Sequence, residues 1–328
     1  MKEKLSKLKE VLKKEKEDYL FLDWEDPNHF WLLEEKIENS YIIIKRRGKP
    51  EILMSPLESF DSKEFILKPL KKENFPKRAL VNKDTYKIKY NKLIKPKQTG
   101  FFVRRRKTRE EINKIKLACE FTDKCFLKIV EGLKKRKYVK EKDVEREIRV
   151  FAAKNDLEIA FDPIVASQKN AATPHHNNTG ILRKGFLIVD FGFKYQGYSS
   201  DMTRTLYLGE PTKEEKELYE KVLRSQLDAI NQCKEGILLK EIDENVRKSL
   251  GKYSNYFIHS LGHGIGVKVH EEPFFKEKEK IQIRDVFTIE PGIYIKNELG
   301  IRIEDTIFIE EKETKILTKT SKKLVVIN

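Results

Sequence analysis

The stretch FLIVDFGFKYQGYSSDMTRTLYLG, residues 186–209, reads as two strands joined by a tight turn. Gln196–Gly197 supplies the turn, because glycine tolerates the left-handed backbone that hairpins need. Asp190 interrupts an otherwise apolar strand, and Asp201 opens the next one. The register expected here sets residue 190 opposite residue 201, so two carboxylates face each other. Unshielded like charges in that arrangement destabilise a sheet. A divalent cation between them is the natural counter-charge.

Outward from this hairpin, the order of elements repeats. Thr108 and Glu111 form a capping box, and apolar residues at Ile112, Ile115, Cys119, Phe126 and Ile129 extend a helix expected to stop at Gly132. A second helix carries Val144, Ile148 and Phe151, and the hairpin follows. The series then recurs: the capping box Thr212 to Glu215 leads a helix expected to end at Gly236, and a shorter helix holds Ile242, Val246 and Leu250. After it, YFIHSLG, VFTIEPGIYI and IRIEDTIFI read as strands. Two helices plus a β-meander, twice over, predicts an α+β unit of two similar halves whose sheets join and whose helices cover one face.

Before residue 100 the chain reads as a small α/β domain. MKEKLSKLKEVLKKEKE places Leu5, Leu8 and Leu12 at helical spacing, and DYLFLDW and SYIIIKRRGKPEILMS read as strands. The predicted domains are therefore 1–100 and 106–328, with KPKQTGFFVRRRK as the connection. The charged N-terminus lacks the apolar stretch of a secretory signal, and no aliphatic run is long enough to cross a bilayer. The expected location is the cytoplasm. The formal charge of +15 raises nucleic-acid binding, but 68 Lys and Arg are interleaved with 53 Asp and Glu along the chain. Nucleic-acid motifs are not evident, so no nucleic-acid or membrane partner is expected. The three cysteines form no C-x-x-C pair and read as small buried hydrophobes.

Two further acids stand in apolar strands, Glu290 in FTIEPGIY and Glu304 in GIRIEDTIFI; period two puts Arg302 and Glu304 on one strand face. Any one of them, taken alone, reads more readily as a carboxylate satisfied by Arg or backbone N–H groups. Together, unpaired, they would cost too much. In HSLGHGIGVKVHE, Gly262, Gly264 and Gly266 allow close backbone approach or unusual φ around His263. His263 and His270 are seven apart, so one regular strand would point them to opposite faces. A loop presenting His263 and a following strand presenting His270 are expected. Asp190, Asp201, Glu290 and Glu304 carry four negative charges and His263 is neutral, which matches two divalent cations. An oxygen-rich set with one His and no thiolate favours Mn²⁺, Co²⁺ or Fe²⁺ over a structural zinc. Two such ions about 3.5 Å apart can share a hydroxide and polarise a carbonyl.

These residues in their motifs resemble the metal-ligand set of the pita-bread metallopeptidases, the family of prolidases, Xaa-Pro aminopeptidases and methionine aminopeptidases. FIHSLGHGIG, TIEPGIYI and GIRIEDT are closest to prolidase and Xaa-Pro aminopeptidase, over roughly residues 106–320. The resemblance implies the pita-bread fold behind a small N-terminal domain of the creatinase/prolidase type, with two divalent metal ions as cofactors, Mn²⁺ or Co²⁺ first and Fe²⁺ or Zn²⁺ as alternatives. It implies hydrolysis of the Xaa-Pro bond at the N-terminus of dipeptides or short peptides, and a homodimer. Asp190, Asp201, His263, Glu290 and Glu304 would be the metal ligands. Glu290 would also move the proton, while His270 and His175 would contact the reacting peptide. His259 would line the proline pocket and Arg302 would orient the bridging carboxylate. His176 reads as structural, and His29 has no supporting context. Two departures stand out. The loop VASQKNAATPH differs from the family's S-A-L-P-H, and HEEPFF has Phe274 and Phe275 where many prolidases carry an Arg. Methionine aminopeptidase and a non-catalytic binding protein of this fold are the competing readings.

Overall fold

Three leucines at helical spacing are enough to dock an otherwise charged N-terminus. The computed structural model describes residues 1–82, 94–99, 103–311 and 313–328 and divides into two compact units, Met1–Arg104 and Arg105–Asn328. In the first, α1 (Lys2–Glu15) buries Leu5, Leu8 and Leu12 and leaves Lys13 and Lys14 in solvent. Strand β1 (Tyr19–Asp23) leads into α2 (Pro27–Leu33), which Asp26 caps by accepting from the Asn28 N–H at 2.8 Å. Strands β2 (Tyr41–Lys45) and β3 (Glu51–Met54) complete an antiparallel run with β1. Strands β4 (Ile66–Pro69), β5 (Arg78–Asn82) and β6 (Lys95–Thr99) then add in parallel, in the order β4-β3-β2-β1-β5-β6. The segment expected to be only a connection thus starts as an edge strand; its residues 100–102 lie outside the described residues.

The second unit carries the repeat. Helix α3 (Arg109–Lys134) begins at the Thr108 capping box and runs past Gly132, and α4 (Glu141–Lys154) follows. Then come β7 (Glu158–Ile159), β8 (Ile164–Ser167), β9 (Gly185–Phe191), β10 (Phe193–Tyr195), β11 (Tyr198–Ser199) and β12 (Met202–Leu208). Helix α5 (Lys213–Gln232), capped by Thr212 and Glu215, stops four residues before Gly236, and α6 (Leu239–Leu250) follows. The second set of strands is β13 (His263–Gly264), β14 (Glu271–Phe274), β15 (Val286–Ile289), β16 (Gly292–Ile295), β17 (Leu299–Arg302), β18 (Asp305–Ile309), β19 (Thr314–Ile316) and β20 (Val326–Ile327).

Each half has its own core. Ile129, Val144, Ile148 and Val189 pack in the first, and Val222, Ile242, Phe287 and Ile301 in the second. The halves are stitched together at β12. The Glu304 N–H donates to the Thr203 carbonyl at 3.1 Å, and the Arg302 N–H donates to Thr205 Oγ1 at 3.1 Å. The C-terminal strand β20 returns to pair in parallel with β12. All three cysteines are buried and unpaired, and burial raises their thiol pKa values. Among the described residues, no helix is long and apolar enough to cross a membrane.

The hairpin register differs from the expected one. Asp190 lies opposite Thr203, not Asp201. The reason is the turn: Gln196 and Gly197 both have positive φ, 48° and 77°, and Tyr195 pairs with Tyr198 across them. That two-residue left-handed turn fixes the pairing two residues further on. A slip of two preserves the face of every side chain, so the carboxylates of residues 190 and 201 stay on one side.

Candidate metal centre

Asp201, His263 and Glu304 each present one ligand atom within 4.8 Å of the others. Asp201 precedes β12, and Glu304 sits in the two-residue break between β17 and β18. The expected continuous strand through Arg302 and Glu304 is therefore interrupted, yet both side chains turn into the site. Glu290 lies just past β15, with Oε1 3.3 Å from His263 Nε2. Asp201 Oδ2 is 3.7 Å from the same nitrogen. His263 Nδ1 is 3.2 Å from the Gly264 carbonyl. A carbonyl only accepts, so Nδ1 carries the proton and Nε2 turns its lone pair toward the two carboxylates.

Asp190 completes the group from β9. Its Oδ2 accepts from Arg302 Nη2 at 2.6 Å, while its Oδ1 is buried with no partner, as is Asp201 Oδ1. Arg302 was expected to orient the bridging carboxylate, but its ion pair is with Asp190. Its remaining donors go to the Tyr294 hydroxyl at 2.6 Å and Thr203 Oγ1 at 3.0 Å. Thr203 in turn donates to Glu304 Oε2 at 2.7 Å, and Thr288 donates to Glu290 Oε1 at 3.1 Å.

The electrostatics of this group are those of a cation site. Burial, then the neighbouring Asp190 and Glu290, drive the Asp201 carboxyl well above the usual range. Burial and Asp201 do the same to Glu304. Glu290 is pushed up to about 8, mainly by burial, with Asp190 adding and Arg302 opposing. Burial lowers His263 to about 3, with His270 contributing. Buried acceptors without partners, carboxylates resisting ionisation and an imidazole lone pair aimed at oxygen acceptors all need a positive charge between them. The donor set of carboxylate oxygens and one imidazole therefore fits divalent cations.

The histidine loop reverses the expected arrangement. His263 lies on the short strand β13, and His270 is exposed in the loop just before β14. The antiparallel pairing of β13 with β14 brings the two rings edge to face, 4.1 Å between centroids. None of the loop glycines has positive φ. Their role is approach: a Cβ on Gly262 would lie 2.0 Å from the Thr288 carbonyl oxygen, and one on Gly264 would lie 2.2 Å from the Glu272 backbone. Below this loop, Lys107 Nζ meets Glu271 Oε1 at 2.8 Å with both side chains buried. Removing one partner of such a pair leaves a buried charge. Lys107→Met is expected to lower the unfolding free energy by about 3 kcal/mol. Adding Glu271→Met should recover most of that loss in a urea titration.

These groups open into a cavity of about 810 Å³, also lined by His175, His259 and His270. His259 Nε2 is 2.8 Å from the Tyr294 hydroxyl, and burial lowers its pKa to about 4, with Arg302 contributing. His176 also lines the cavity but bonds Glu141 Oε2 at 2.7 Å, and His29, in the first unit, bonds Ser40 at 2.8 Å. Sequence reasoning missed Thr203, Thr288 and Tyr294. The threonines had a readable signal, since each is two residues from a candidate ligand and so shares its strand face. Tyr294 had none, because β15 ends before Glu290 and β16 starts at Gly292, so no single strand links the two residues.

Residues 113–311 match the model of metallopeptidase family M24. A Xaa-Pro dipeptidase from Pyrococcus horikoshii is 41% identical over 226 residues, 67% of this chain and 64% of that protein's length. The chain thus spans less than two thirds of the length of the curated relative it matches. Among solved structures, the prolidase from Pyrococcus horikoshii OT3 superposes with a TM-score of 0.86 at 31% identity, over 98% of this chain and 100% of that one. The Xaa-Pro dipeptidase from Bacillus anthracis gives 0.89 at 27% identity, over 99% of both chains.

Proposed function

The chain belongs to metallopeptidase family M24, and from that premise we propose that it hydrolyses the Xaa-Pro bond at the N-terminus of dipeptides or short peptides, as a prolidase or Xaa-Pro aminopeptidase. The observation that carries this reading is the convergence of Asp190, Asp201, His263, Glu290 and Glu304 on one cavity, with unpartnered buried oxygens on the first two. We assign those five residues as the ligands of two divalent cations, Mn²⁺ or Co²⁺ first. When bound, such ions supply Lewis acidity and make hydroxide available at neutral pH.

The chain's own residues carry the remaining roles. The Gly264 carbonyl fixes the His263 tautomer, and Arg302 holds the Asp190 carboxylate in place. Thr288 engages Glu290 Oε1, so Oε2 is the oxygen that accepts a proton from the attacking water. As the C–N bond breaks, Glu290 returns that proton to the departing prolyl nitrogen. His270 and His175 line the cavity and engage the scissile peptide, while His259, anchored by Tyr294, lines the pocket for the proline ring. The unit of residues 1–100 is proposed as the N-terminal domain of the proline-specific branch, with a homodimer in the cytoplasm as the working state.

His270→Ala is expected to keep its metal and lose about 10²-fold in kcat, the scale of losing one positioned electrostatic group. Loss of metal in that variant would make His270 a ligand. The function itself is tested by chelating the protein, reloading it with Mn²⁺, Co²⁺ or Zn²⁺, and assaying Ala-Pro, Ala-Pro-Pro, a longer Xaa-Pro peptide and Met-Ala-Ser. Cleavage of the prolyl peptides supports the proposal; cleavage of Met-Ala-Ser alone indicates a methionine aminopeptidase. No cleavage with any metal indicates a binding protein of this fold.

A further inference from the structure

We propose that Glu141 is a positioning residue whose buried carboxylate tethers the loop that presents His175 to the reacting peptide. The proposal rests on the peptidase reading above and on the role given there to His175. It adds what keeps that imidazole in place, in the loop that departs from the family's S-A-L-P-H. A single 3₁₀ turn (Gln168–Ala172) leads into this loop. Among the described residues, no backbone–backbone hydrogen bond involves residues 174–179. Side chains therefore have to hold the loop.

Glu141 opens α4 with its side chain fully buried. Its Oε1 accepts from the Ser167 N–H at 2.7 Å and from Asn170 Nδ2 at 2.9 Å. Its Oε2 accepts from the Gly180 N–H at 2.6 Å and from His176 Nε2 at 2.7 Å. The donors thus come from before the loop, from within it and from its far end. A carboxylate only accepts, so His176 carries a proton on Nε2. The Thr179 N–H, 3.4 Å from that nitrogen, is then a contact and not a hydrogen bond. Gly180 permits the approach: a Cβ there would lie 2.3 Å from Asn170 Nδ2 and 2.8 Å from Glu141 Oε2. One helical turn on, Glu145 Oε2 accepts from Asn178 Nδ2 at 2.9 Å, which ties a second point of the loop to α4. His175 lines the cavity beside these anchors. Burial, and after it His175, lowers the His270 pKa, so the two imidazoles are neighbours. The bonds made by His176 therefore set where His175 stands.

The test is a double-mutant cycle on the metal-loaded full chain, Glu141→Gln against His175→Ala, with kcat measured on Ala-Pro and Ala-Pro-Pro. Whichever way the amide sits, its NH₂ meets the N–H of Ser167 or of Gly180, so one side of the tether opens. Glu141→Gln is expected to lower kcat by about 10-fold, the effect of a displaced contact. His175→Ala should lower it by about 10²-fold. In the His175→Ala background Glu141→Gln should add no further loss, because the two residues act as one unit. Equal losses in both backgrounds, or no loss in either, overturn the proposal. Should Glu141→Gln fail to fold, His176→Leu removes one donor from the same carboxylate and takes its place in the cycle; His176→Gln, which can still donate, should recover the loss. A second readout needs no turnover. The six histidines are labelled with ¹⁵N in the Zn²⁺-loaded chain, and the His175 ring signals are assigned by their loss in His175→Ala. Those signals should shift in Glu141→Gln and in His176→Leu while the His29 signals stay in place. Unmoved His175 signals sink the tether whatever the activity. Shifted signals in a protein that cleaves no prolyl peptide would sink the proposed function and leave the tether standing.

Discussion

Glu290→Gln is expected to lower kcat on Ala-Pro by about 10³-fold while leaving the fold intact. Gln has nearly the volume of Glu, and its carbonyl can still accept from Thr288, so the strand end at β15 keeps its packing. What the amide cannot do is take a proton from water and release it to the leaving nitrogen. It is also a weaker cation ligand than a carboxylate, so metal bound per chain should fall or require higher metal concentrations. Both quantities are measurable on one preparation, by steady-state kinetics and elemental analysis. A variant with full metal and more than a tenth of the wild-type kcat would remove Glu290 from the role of base. Its site opposite His263, at 3.3 Å, would then be that of a ligand alone.

The second large effect is on stability, and its sign follows from the direction of the carboxyl shifts. In the metal-free protein Glu290 is raised from 4.5 to about 8, and Asp201 and Glu304 are raised well above their ordinary values. The folded state therefore holds protons that the unfolded state has already released at neutral pH. The associated stability is fully present below about pH 4, where both states are protonated. It is lost as pH rises toward 8 and beyond. For Glu290 alone the loss between pH 5 and pH 8 is on the order of 4 kcal/mol. The chelated protein should therefore melt about 10 °C lower at pH 8 than at pH 5. The Mn²⁺-loaded protein should show the reverse difference or none, because the cation favours the ionised carboxylates and competes with protons. Differential scanning calorimetry across that range checks both curves. A chelated protein whose melting temperature is flat from pH 5 to pH 8 would show that the carboxylates are not packed together as described.

Much of the second unit was readable from short-range rules. Both capping boxes formed with the geometry their spacing implies, with Glu111 and Glu215 each donating a backbone N–H to the threonine three residues before it. Helix ends were less legible. Glycine at 132 and 236 marked the regions, but the last turns depend on packing, so α3 overran its glycine and α5 stopped before its own. Hairpin register failed by two residues although the turn at 196 and 197 was placed correctly, because a two-residue turn there pairs 195 with 198 and so sets 190 opposite 203. The face of Asp190 and Asp201 survived, since a slip of two conserves the pleat. His263 and His270 exchanged strand and loop because the glycines serve close approach to Thr288 and Glu272, partners that lie outside their own segment.

The sequence by itself determined the donor types. Carboxylates interrupting apolar strands and a histidine among glycines are local patterns, and period two keeps such groups on one face whatever the register. Only the tertiary structure decided their partners. Thr203 reaches Glu304 across 101 residues, Arg302 reaches Asp190 across 112, and Lys107 reaches Glu271 across 164. Which buried oxygens remain unpartnered and how strongly the carboxylates resist ionisation both depend on those contacts. Burial and Coulomb repulsion act through space, over a few ångströms, and chain separation carries no information about them.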